Sequence, residues 1–178
     1  MTGPGSSPPI VVMGVQGSGK STVAELLAER LGARAVDGDR LHSAANVAKM
    51  AAGVPLGDED REPWLRTIGR LLDADRDTGI VVVCSALRRS YRDLLRSEAP
   101  GTVFVHLFGS FELISSRVNS RTHEYMPPAL LKSQFDTLEP LQDDEAGIAL
   151  DVSASPAELA DAVVAFLRVL RPADAERR

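Results

Sequence analysis

The stretch Gly14 to Thr22, GVQGSGKST, constrains this chain more than any other, because an apolar run (Ile10 to Met13) leads into it and a helical pattern leads out. It matches GxxxxGKS at Gly14, Gly19, Lys20 and Ser21. In that arrangement glycines let backbone N–H groups converge on phosphate oxygens, the lysine reaches the β and γ phosphates, the serine holds magnesium, and the helix N-terminus adds a positive field. The expected nucleotide site, for ATP, is Gly14, Val15, Gln16, Gly17, Ser18, Gly19, Lys20, Ser21 and Thr22. The competing reading is a glycine turn with a solvent-facing lysine. Further apolar runs at 33–37, 80–86, 102–108 and 148–153 read as strands. Helical patterns alternate with them: Val23, Leu26, Leu27 and Leu31 form one stripe, and Leu159, Val163, Phe166, Leu167 and Leu170 another after Pro156. Continuously apolar strands are expected where helices cover both faces of a sheet, so the expected fold is α/β, a three-layer sandwich with a mostly parallel sheet. The pattern leaves strand order open.

With 178 residues the chain fits one domain, expected over 10–170, with frayed Gly/Pro/Ser-rich residues 1–9 and a flexible polar tail at 171–178. A formal net charge of -5 argues against a general nucleic-acid-binding surface. Cys84 stands alone, which leaves no disulfide framework and no thiolate-rich zinc site. No apolar run approaches the ~20 residues that span a bilayer, and the start lacks a targeting core, so the expected location is cytoplasmic, with no membrane partner.

A GTPase needs a base-reading NKxD segment, which the sequence lacks, and IVVVCSALRR carries no acid at its strand end. Asp37 and Asp39 in VDGDRLH are the best acidic candidates, since they follow the second strand, where a sheet's carboxyl edge faces substrate. Asp39 fits either of two tasks: orienting an alcohol and taking its proton, or shaping the magnesium water shell together with Ser21. Turn-satisfying aspartates are the alternative for both.

The segments DGDRLHSAANVAKMAAGVPLGDEDREPWL (37–65), CSALRRSYRDLLR and LLKSQFDTLEP together resemble the gluconate kinase family across 10–170. The resemblance implies a P-loop kinase fold with a small helical lid near 113–138, transfer of the terminal phosphoryl group of ATP to the 6-hydroxyl of D-gluconate, magnesium as cofactor, and a homodimer. It favours Arg117 and Arg121, four residues apart, as lid arginines that meet the phosphates on closure; an exposed helical charge pair is the alternative. HEY at 123–125 departs from the family's usual GHF-like run, which argues against a catalytic His123.

A polyhydroxylated carboxylate calls for hydroxyl-orienting acids and a cation for its carboxylate. Arg61 is the strongest anion candidate, against an intramolecular ion pair, and Arg88 and Arg92 are further candidates for the acceptor side. His42 contacts substrate or serves as scaffold, Gln134 contacts substrate or supports the closing segment, and Trp64 reads as a packing residue before a stacking one. Cys84 and His106 read as core or edge residues. Competing functions are a related hydroxy-acid kinase, such as a shikimate kinase, and a nucleotide-responsive binding protein without transfer.

Overall fold

The computed structural model of the chain describes residues 7–120 and 128–170. Five strands, β1 (Ile10–Met13), β2 (Arg34–Asp37), β3 (Ile80–Val83), β4 (Val103–Phe108) and β5 (Gly147–Asp151), form one sheet in the order β2-β3-β1-β4-β5. Every pairing is parallel, with Val11 facing Val82 on one side and Phe104 on the other. Parallel neighbours require crossovers, and the helices α1 (Lys20–Leu31), α2 (Ala44–Ala51), α3 (Asp58–Ala74), α4 (Arg89–Glu98), α5 (Phe111–Asn119), α6 (Pro128–Thr137) and α7 (Pro156–Leu170) lie within them or, for α7, follow the last strand.

Strand period two splits the core. Ile10 and Val12 of β1 join Val23 and Leu27 of α1, Ile114 of α5, Leu131 of α6, and Val163 and Leu167 of α7. Val11 and Met13 face the other way, onto Trp64, Leu65, Ile68 and Leu72 of α3 and Tyr91 and Leu95 of α4. Both faces of β1 are therefore buried, which is why its four residues are all apolar. β3 and β4 flank β1 on opposite sides, so crossovers diverge there and open a crevice at the carboxyl ends of the strands.

Two expectations change in the structure. The strand read over 80–86 ends at Val83: Cys84 N still donates to Val12 O (3.1 Å), but beyond it Ser85 O accepts from Gly14 N (3.2 Å) and Ala86 adopts φ 43°. At the start, Pro9 already belongs to the fold, buried and accepting from Val103 N (2.9 Å), whereas 1–6 and 171–178 lie outside the described residues. Within 113–138, Ile114, Val118 and Leu131 are buried in the main core.

Candidate active site

The first loop is shaped by what glycine permits. Gly14 has φ +144°, and a Cβ there would sit 2.6 Å from Leu107 O; at Gly17 (φ +83°) it would strike Val118 of α5. Gly19 precedes α1 without a capping side chain, so the first N–H groups of the helix have no side-chain acceptor. Ser18 lies buried in this turn with its hydroxyl unpartnered among the described residues. These donors make a cradle suited to an anionic phosphate chain.

Lys20 folds over the loop, its Nζ donating to Gly14 O and Val15 O at 3.0 Å each. Burial lowers its pKa to about 8, against the opposing pull of Asp39, Cys84 and Asp37. Phosphate selects the ammonium form, so above that value the protein must take up a proton to bind nucleotide. Affinity for a non-hydrolysable ATP analogue should hold steady up to pH 8 and then fall about tenfold per pH unit, as expected for one coupled proton. Calorimetric titration across pH 6.5–9.5 checks this; a flat profile would remove Lys20 from the phosphate site.

A cleft of about 810 Å³ opens beside the loop, lined by Gln16, Lys20 and Ser21, by Asp37 and Asp39, and by side chains of α2, α3 and α6. β2 delivers the aspartates. Asp37 caps the following 3-10 turn, Gly38–Leu41, by accepting from Asp39 N (3.0 Å). Asp37 thus has the backbone role weighed for it, while Asp39 is left open to the cleft. Surrounding protein raises the Asp39 carboxyl above its ordinary value, helped by the charge of Asp37 and opposed by His42 and Lys20.

His42 stacks on Trp64, ring centroids 4.1 Å apart and planes within 16°. Trp64 is itself pinned by its indole N–H donating to Gly38 O at 2.8 Å, so it packs and also walls the cleft. The Asn46 amide nitrogen donates to Asp60 O (2.8 Å) and lies 3.2 Å from His42 Nδ1. A carbonyl only accepts, which fixes the amide orientation and makes Nδ1 the acceptor; the neutral ring therefore carries its proton on Nε2. Burial lowers the His42 pKa, with Asp39 opposing and Arg61 reinforcing, so the neutral donor form prevails at neutral pH.

Arg61, on α3, lines the same cleft. Its Nη1 donates to Tyr91 Oη (3.3 Å), and Tyr91 in turn donates to Asp58 (2.7 Å). Among the described residues no carboxylate lies within ion-pair distance of Arg61, contrary to the ion-pair alternative. Arg88 sits 3.8 Å from Asp58 and over the Tyr91 ring, lining a neighbouring cleft with Lys132 and Ser133.

Arg92 is a correction. Its side chain is fully buried, bonded to Glu145 (2.8 and 2.9 Å), Ala86 O (3.0 Å) and Pro140 O (3.3 Å), and no donor is left for an acceptor substrate. Arg117 is half-buried on α5 and outside the cleft lining, though its neighbour Val118 abuts the loop at Gly17. The described helix ends at Asn119, short of the shared face expected with Arg121; Arg121 and the HEY run lie outside the described residues. Gln134 meets the phosphate loop directly, its Oε1 accepting from Gln16 N at 2.7 Å. Cys84 lines the cleft, but burial pushes its thiol up to about 12, which keeps it protonated and unreactive.

The sequence reading missed the apolar rim formed by Met50, Val54 and Leu130, all exposed at the cleft. Val47 and Met50, three apart and both exposed on α2, are the signal that was available, since that face finds no core. Among the described residues there is no cluster of three metal-ligating His, Cys, Asp or Glu side chains. Ser21, Asp37 and Asp39 offer oxygen donors only, which suits magnesium held by few protein ligands plus water and phosphate.

A family model described as shikimate kinase matches residues 16–168. The thermosensitive gluconokinase of Escherichia coli (strain K12) is 46% identical over 144 residues, covering 78% of this chain and 75% of that protein. A probable gluconokinase of Mus musculus is 43% identical, over 89% of this chain and 97% of its own. The crystal structure of a gluconokinase from Sinorhizobium meliloti 1021 superposes with a TM-score of 0.85 at 45% identity, covering 93% and 94% of the two chains.

Proposed function

The chain belongs to the gluconokinase family of P-loop kinases, and from that premise we propose that it transfers the terminal phosphoryl group of ATP to the 6-hydroxyl of D-gluconate, giving 6-phospho-D-gluconate and ADP. The observation that carries the acceptor is Arg61, a cation in the cleft without a carboxylate partner among the described residues. A buried or half-buried guanidinium favours a bound carboxylate, and gluconate supplies one at the end of the chain opposite its reacting hydroxyl. His42 Nε2–H offers a donor to a hydroxyl between the two.

In the transfer the 6-hydroxyl oxygen forms a bond to the γ-phosphorus while the bond from that phosphorus to the β–γ bridging oxygen breaks. The hydroxyl proton passes to Asp39, and ADP leaves with the bridging oxygen. Lys20 and the loop N–H groups hold the phosphates in line, and Arg117 adds positive charge from α5, the charge role that the sequence also assigns to Arg121. Ser21 would hold magnesium, whose charge offsets that of the phosphates. The same reading takes residues 10–170 as one kinase domain acting as a cytoplasmic homodimer in gluconate use, for which light scattering gives the mass.

Arg61→Ala is the test. Loss of a charge-assisted hydrogen bond should lower kcat/KM for D-gluconate about 10- to 100-fold, and D-sorbitol, which carries a CH2OH in place of the carboxylate, should be used poorly and equally by both proteins. Product position is read by NMR. The description of the matching family model favours shikimate as the rival acceptor; efficient transfer to shikimate with none to D-gluconate would reverse the assignment. ATP binding without product from either would favour a nucleotide-responsive binding protein.

A further inference from the structure

One helix touches both halves of the proposed reaction. From α6, Leu130, Ser133 and Thr137 line the cleft that holds Asp39, His42 and Arg61, so anything filling that cleft bears on this helix. The same helix reaches the phosphate loop through Gln134, whose Oε1 accepts the Gln16 N–H at 2.7 Å across 118 residues of chain. Because a backbone N–H only donates, the bonded atom of Gln134 is its oxygen. Gln16 follows Val15, whose carbonyl holds Lys20, and precedes Gly17, which abuts α5. A pull on the Gln16 peptide therefore acts on both the lysine and the turn that would wrap the phosphates.

The helix is built to carry such a pull. Leu131 is buried in the core, Phe135 meets Phe111 edge-on at 5.7 Å, and the C-terminal end is fastened where Glu139 N donates to Leu87 O (2.7 Å) and the Glu139 carboxylate accepts from Arg89 N (2.6 Å). On the cleft side of the helix the apolar Leu130 is exposed, which leaves its contacts to be completed by an occupant.

We propose that Gln134 is a positioning residue that couples the two sites: acceptor in the cleft holds α6, and α6 through Gln134 holds the phosphate loop in its nucleotide-binding form, so that each ligand strengthens binding of the other. The coupling is reciprocal by thermodynamic necessity. This rests on the acceptor proposed above.

The test measures binding of a non-hydrolysable ATP analogue with magnesium, with and without saturating D-gluconate, and then the reverse titration. In the wild-type protein each ligand should tighten the other by about fivefold or more, within the usual range for coupled sites. Gln134→Ala should bring that factor to near one, moving the affinity of either ligand alone by less than the coupling it removes. Gln134→Met, which keeps length and volume but offers only a weak thioether acceptor, should lose the coupling nearly as fully, and hydrogen exchange of the 14–22 segment should then no longer slow on adding D-gluconate. Coupling that survives in both variants overturns the inference while leaving the acceptor intact. So does a variant that loses D-gluconate binding in the absence of nucleotide, since that marks direct substrate contact. Failure of the wild-type protein to bind D-gluconate overturns both the inference and the acceptor on which it rests.

Discussion

Asp39→Asn is expected to lower kcat about 100- to 10,000-fold while nucleotide affinity stays within a few-fold of wild type, the usual cost of removing a positioned general base. Asparagine keeps the size and one acceptor oxygen but cannot take the hydroxyl proton. Burial and the neighbouring Asp37 raise the Asp39 carboxyl, and His42 and Lys20 only partly offset them. A base must be ionised to act, so the wild-type rate should fall on the acid side through a pKa above the ordinary Asp value, and the variant should lack that limb. The stability argument has the opposite sign. A carboxyl whose folded pKa is raised costs stability once ionised, so the variant should unfold no earlier than wild type at neutral pH. Steady-state kinetics across pH, with thermal unfolding alongside, separates the two. Wild-type turnover from a folded Asp39→Asn protein would remove the base role, and a loss repaired by high magnesium would move Asp39 to the metal.

The parts of this site that were legible in the sequence are those fixed by local chemistry. Gly14 to Thr22 declare their loop because its turns require glycine and its helix requires a start, and Asp37 and Asp39 follow a strand whose end must face the crevice. What was not legible depends on partners far along the chain. Ala86 is apolar like the strand before it, yet the chain has left the sheet there, because the carbonyl of Ser85 serves Gly14 N and Ala86 takes a positive φ. Arg88 and Arg92 both read as candidates for the acceptor side, but Tyr91, Arg92 and Leu95 form the buried stripe of α4 and Arg88 is its N-terminal cap. The i, i+3 spacing of Arg92 and Leu95 was the available signal. Its partner, Glu145, is 53 residues away in a loop without periodicity, and no local rule pairs them.

That pair carries the largest expected effect on stability. Glu145 has no solvent-exposed side-chain surface and accepts from Arg92 (2.8 and 2.9 Å), Arg96 (2.9 Å) and Gln142 N (3.0 Å). It joins the loop after α6 to α4. Glu145→Ala leaves Arg92 charged, buried and short of its counter-ion, which should cost about 3–5 kcal/mol in denaturant unfolding, a large share of the 5–15 kcal/mol that a domain of this size commands. Replacing both residues, as Arg92→Met with Glu145→Leu, removes the stranded charge and should cost far less than the single change. A double variant as unstable as Glu145→Ala would assign the loss to packing instead. The pH dependence follows from the same contacts. Burial pushes the Glu145 carboxyl up, but hydrogen bonds from Arg92, Gln142 N and Arg96 and the charge of Arg92 outweigh it and hold it below its ordinary value. Its stabilisation is therefore complete above the unfolded carboxylate range and is lost as pH falls through the lower folded value. The gap in stability between wild type and Glu145→Ala should accordingly be widest at neutral pH and close as the solution is acidified.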